Sequence, residues 1–127
     1  MKKVILSALL ALGIFTVSHA QYVKVVVFNN TTSTNWIFKT ADSSSPPIVM
    51  HNGYVPLGSP AINVAYPSTY NFPINWKVVD PNGTDTGNQM FSGAVGSTTI
   101  SLSAPYSVTY EVQDLGGGQY NFLVFLN

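Results

Sequence analysis

Tyr106-Ser-Val108-Thr-Tyr110-Glu-Val112-Gln113 is followed by Asp114-Leu-Gly-Gly-Gly118, and then by Gln119-Tyr-Asn-Phe122-Leu-Val124-Phe-Leu126. The first segment alternates apolar and polar residues with period two, so it reads as a strand with one face on a core. The last is apolar at nearly every position after Asn121, which predicts a strand that is central in its sheet or covered by a partner. The glycines between them reach the positive φ of a tight turn, and the whole run is expected to be a hairpin.

Upstream, the same signal recurs and no stretch sustains a helical stripe. Strands are predicted near Tyr22–Phe28, Asn35–Thr40, Ile48–Met50, Ala61–Tyr66, Ile74–Asp80, Asn88–Ser92 and Thr98–Ser103, besides Tyr106–Gln113 and Gln119–Leu126. Asp80-Pro-Asn-Gly83 marks a second hairpin turn, because Pro81 presets φ and Asn82-Gly83 tolerates left-handed geometry. Eight or nine short strands with frequent turn signals predict an all-β fold, a single two-sheet antiparallel β-sandwich, ahead of a small barrel. The strands are too short for a membrane-spanning barrel.

The N-terminus carries an export signal. Lys2 and Lys3 form a positive start, Val4 to Val17 an apolar run, and Ser18-His19-Ala20 a small-residue cleavage site. The run falls short of the ~20 residues of a spanning helix. The expected division is residues 1–20 as signal peptide and 21–127 as one domain, exported to a periplasm or secreted.

Beyond Ala20 there remain Lys24, Lys39 and Lys77 against five carboxylates, a formal balance of −2, with no arginine and no cysteine. Scattered lysines cannot build the basic patch that nucleic-acid binding requires, so nucleic acid is excluded as a partner. Without cysteine there is no disulfide, thiol catalysis or thiolate metal site, and stability must come from packing. A surface so poor in charge is built from Asn, Ser, Thr, Gly and Tyr. It suits stacking and hydrogen bonding, and it opposes self-association weakly, so a homo-oligomer is compatible with it.

No catalytic constellation is present. His51 is the only histidine after residue 20, beside the turn residues Asn52-Gly53, and no serine lies in a nucleophile-elbow pattern. Asp80, Asp85 and Asp114 fall in predicted turns and Glu111 on a polar strand face, positions of solvated or turn-capping acids and not of a glycosidase pair. Asp80-Pro-Asn-Gly-Thr-Asp85 begins like a calcium loop but has Asp85 where the sixth-position glycine belongs and Phe91 where the twelfth-position glutamate belongs. No enzyme, cofactor or metal is expected.

Two stretches combine aromatics, prolines and amides with almost no charge: Tyr54 to Pro60, and Tyr66-Pro-Ser-Thr-Tyr70-Asn-Phe72-Pro-Ile-Asn-Trp76. Rings with a polar tip stack on sugars or sit at a bilayer interface. Trp76, in phase with Ile74 and Val78, fits the core, whereas Tyr54, Tyr66, Tyr70 and Phe72 are the candidate ligand-binding residues. Pro67 is expected to end central pairing and turn Tyr66 and Tyr70 outward.

Ala20-Gln-Tyr-Val-Lys-Val-Val-Val27 followed by Asn29-Asn-Thr31 resembles the first strand and turn of aegerolysins, and actinoporin-like cytolysins open similarly, with a tryptophan that here is Trp36. The resemblance implies a small secreted β-sandwich that recognises membrane lipids. The expected function is a non-enzymatic binding module engaging a cell surface, a membrane lipid or a glycan. The competing reading, a self-associating subunit of a surface or matrix layer, follows from apolar strands whose exposed edges template pairing.

Overall fold

A computed structural model describes residues 22–67, 74–91 and 93–127. The segment read as a signal peptide lies outside them, as does the cleavage site. Among the described residues there are nine strands and no helix: β1 Tyr22–Asn29, β2 Ile37–Ala41, β3 Val49–Tyr54, β4 Gly58–Pro67, β5 Asn75–Val79, β6 Gln89–Met90, β7 Gly96–Ser101, β8 Ser107–Gly116 and β9 Gln119–Leu126. They form a five-stranded sheet in the order β4-β1-β9-β8-β7 and a four-stranded sheet in the order β3-β2-β5-β6. Each strand overlaps a segment singled out by periodicity.

The hairpins form where glycine and Asx chemistry place them. β8 and β9 pair antiparallel around Gly116, Gly117 and Gly118, whose φ values of 82°, 62° and 76° would strain any residue with a Cβ. At the other hairpin, Gly83 N donates to Asp80 O at 3.0 Å, and Asp80 N donates to Thr84 O at 2.8 Å. One pairing departs from an all-antiparallel sandwich: β1 and β9 run parallel, with Val25 opposite Phe122 and Val27 opposite Val124. A parallel pair needs a long crossover. Here the crossover is the whole intervening chain, so adjacent residues cannot reveal it.

Alternation decides what lies between the sheets. Val23, Val25 and Val27 of β1, Phe122, Val124 and Leu126 of β9, Phe38 of β2, and Trp76 and Val78 of β5 are all buried in one core cluster. Rings cross the gap: Trp76 of the small sheet meets Tyr110 of the large one edge-on at 5.0 Å and Phe122 at 5.3 Å. The second apolar face of β9 is explained by its central position. Leu123 lies beside Val26, and Phe125 stacks on Phe28 at 4.8 Å and 9°, on the outer face of the large sheet. Val26 is only 8% exposed although it is not part of the core cluster.

The strands define two ends. One, the Asn29 end, gathers the loops 30–36, 55–57, 80–85 and 102–106 with the C-terminus. The other, the Tyr22 end, gathers the start of β1, the loop 42–48, residues 93–95 and the turn at Leu115 to Gly118.

Candidate functional site

The four candidate residues do not form one site. Tyr54 closes β3 at the Asn29 end, on the outer side of the small sheet opposite Ile37, and is 68% exposed. Tyr66 pairs with Val23 near the Tyr22 end and is 3% exposed, within the core cluster. Counting ~3.3 Å per residue along β4 from Gly58, the two rings belong to regions roughly 25 Å apart. Tyr70 and Phe72 lie outside the described residues.

The outward orientation expected of Tyr66 is therefore corrected. Ile62, Val64 and Tyr66 share one parity, and Ile62 and Tyr66 sit opposite the buried Val27 and Val23. Pro67 does not end the strand before Tyr66 because β4 is an edge strand: among the described residues it pairs only with β1, and a missing N–H is tolerated at an edge. Parity outweighs the proline, and the alternation Ile62-Asn-Val64-Ala-Tyr66 was the signal available in the sequence.

Asp80 and Asp42 each organise the loop in which they sit. Asp80 Oδ1 accepts from Asn82 N at 2.8 Å and Thr84 N at 2.9 Å, while Oδ2 accepts from Ser103 N at 3.0 Å and from the Ser103 hydroxyl. Burial alone would raise its pKa, but the donors from Ser103, Thr84 and Asn82 together outweigh it and hold the carboxyl below the usual range. With both oxygens engaged by chain donors, Asp80 organises its turn. Asp42 does the same for the loop before β3, accepting from Ser44 N at 3.0 Å and Ile48 N at 2.8 Å. His51 faces inward opposite Thr40, and burial pushes its pKa down, which favours the neutral ring.

The periodicity did not reveal two features. The first is a cleft of about 370 Å³ along the open side of the sandwich between β6 and β7, with Trp76, Phe91, Tyr110 and Phe122 behind it and Met90 and Val95 at its rim. It exists because β6 is two residues long and β7 turns only Gly96 and Thr98 inward there, too little to close the gap. Its size and aromatic back wall fall within the range of small-ligand clefts. The second is the distribution of exposed apolar side chains. Ile48, Val49, Met90, Val95 and Leu115 are each more than half exposed, and all five lie at the Tyr22 end. The Asn29 end offers only Tyr54 and Leu57 of comparable exposure among the described residues.

In comparison with known proteins, the chain matches no family model, no curated protein and no solved structure.

Proposed function

We propose that the chain is an exported, non-enzymatic binding module that docks on a lipid interface with the Tyr22 end of its sandwich. The observation that carries this reading is the gathering of Ile48, Val49, Met90, Val95 and Leu115 at that end, from segments far apart in sequence. Scattered apolar residues are normal on a surface, whereas a concentration of them marks an interaction site. Fully burying one such side chain contributes about 1.5–3 kcal/mol. Five half-exposed ones give on the order of 4–7 kcal/mol before the costs of orientation, which suits reversible attachment. Of the carboxylates at this end, Asp42 is buried and already hydrogen-bonded, while Asp114 stays exposed and accepts from Gly116 N at 2.8 Å.

Co-sedimentation with zwitterionic phosphatidylcholine vesicles tests it. The triple variant Met90→Ser, Val95→Ser, Leu115→Ser should keep its melting temperature and lose at least about tenfold in partitioning, roughly 1.4 kcal/mol. Tyr54→Ser with Leu57→Ser, at the other end, should bind as the parent does. Equal losses from both ends, or capture on a glycan array without vesicle binding, would sink the lipid reading.

A further inference from the structure

The outer face of the small sheet carries a feature that neither folding nor the apolar end accounts for. Lys39 of β2 and Lys77 of β5 are direct cross-strand partners. Asn52 of β3 continues the same row beside Lys39. Asn75 and Asn88 join them in lining a trough of about 240 Å³, together with Val49, Ala41 and Trp76. Like charges directly opposite each other destabilise a sheet. In a chain with so few charges, two of the three lysines beyond residue 20 are placed in that arrangement. Edge protection, the usual use of lysine in sheets, does not explain it, because β2 and β5 are the two central strands of the order β3-β2-β5-β6.

Compensation within the chain is slight. Lys77 has Asp85 at 3.8 Å with both side chains well exposed, and Lys39 has no carboxylate partner among the described residues. Two lysines and three asparagines are among the residues that line the trough, and their ammonium and amide groups are able to donate to oxygen. The geometry points to a site for a tetrahedral oxyanion of the phosphate class, held by Lys39 and Lys77 with Asn52, Asn75 and Asn88 as further donors. A local arrangement that costs stability without visible return is the expected mark of a binding site. The trough adjoins the apolar end through Val49, so a lipid phosphate is one source of the anion and free phosphate is another. Only the choice between these sources rests on the lipid-docking reading.

The test has two arms. In the first, inorganic phosphate is titrated against the folded protein at constant ionic strength and followed by backbone amide shifts, with chloride as control. Saturable shifts are expected at Lys39, Asn52 and Lys77, lost in Lys39→Gln/Lys77→Gln. Asp85→Asn, which frees Lys77, should tighten the apparent Kd by up to about fivefold, the equivalent of the ~1 kcal/mol upper range for an exposed ion pair. Shifts that chloride reproduces, or that the double variant retains, overturn the site. In the second arm, vesicles with and without phosphatidylglycerol are compared. A gain on anionic vesicles that disappears in the lysine double variant identifies the lipid phosphate. Phosphate binding with no vesicle binding supports the site while overturning membrane docking.

Discussion

The two ends of the sandwich differ in what their described side chains present to solvent. At the Asn29 end, hydrogen bonds tie loops together across the sequence. Asn29 Nδ2 donates to Ser33 O at 2.8 Å and Pro56 O at 3.2 Å, Asn82 Nδ2 donates to Ser103 Oγ at 3.0 Å, and Asn30 Nδ2 donates to Asn127 Oδ1 at 3.0 Å. Trp36 Nε1 donates to Thr31 Oγ1 at 2.9 Å while its ring meets Tyr106 edge-on at 5.2 Å. At the Tyr22 end, the side-chain bonds of Asp42 to Ser44 and Ile48, and of Asp114 to Gly116, each close a single loop or turn. Exposed apolar side chains are more numerous there, beside exposed polar ones such as Asp114 and Gln119. The Asn29 end is cross-tied through polar side chains, and the Tyr22 end exposes Ile48, Val49, Met90, Val95 and Leu115, which suits a surface that meets something else.

Replacing the two tyrosines should expose the contrast most strongly. Tyr66→Ala is expected to cost about 3–5 kcal/mol, the range for truncating a buried aromatic. Tyr54→Ala should stay within about 0.5 kcal/mol, as for exposed positions. Parallel urea melts measure both, and similar losses would contradict the assignment of one ring to the core and the other to solvent.

Breaking the tie at Asp80 comes next. Asp80→Ala leaves the amides of Asn82, Thr84 and Ser103 without their acceptor and should destabilise by about 1–3 kcal/mol. The carboxyl titrates below its ordinary value in the folded chain, so the folded state holds fewer protons than the unfolded state in acid. Its contribution is complete above the usual aspartate pKa of about 3.9 and is lost as pH falls through that value and below. Melts from pH 6 to pH 2 should therefore show a decline that Asp80→Asn makes shallower. An unchanged slope would mean that other carboxylates dominate acid unfolding.

The smallest effect belongs to His51, between the two ends. Burial depresses its pKa from 6.5, so the folded chain favours the neutral ring. The stability this contributes is full above about 6.5 and fades as pH drops below it. His51→Leu should flatten the shallow decline between pH 7.5 and 5, read by thermal melts in a buffer series. A variant that keeps the parent's slope would remove His51 from the account.

The sequence alone determined the nine segments and the β8–β9 and Asp80 turns, as well as the inward phase of Ile74, Trp76 and Val78. Each of these depends on residues within a few positions of one another, where periodicity and the φ demands of glycine and Asx act directly. Only the tertiary structure decided that β1 lies parallel to β9, that Tyr66 turns inward despite Pro67, and that Val26, Phe28, Leu123 and Phe125 cover one another on an outer face. The same holds for the end that collects Ile48, Met90, Val95 and Leu115, and for the row that sets Lys39 against Lys77. The physical reason is common to all of them. Which strands become neighbours, and in what register, depends on burying one continuous core from both sheets, and that pairing brings together residues whose separation along the chain carries no trace of their contact.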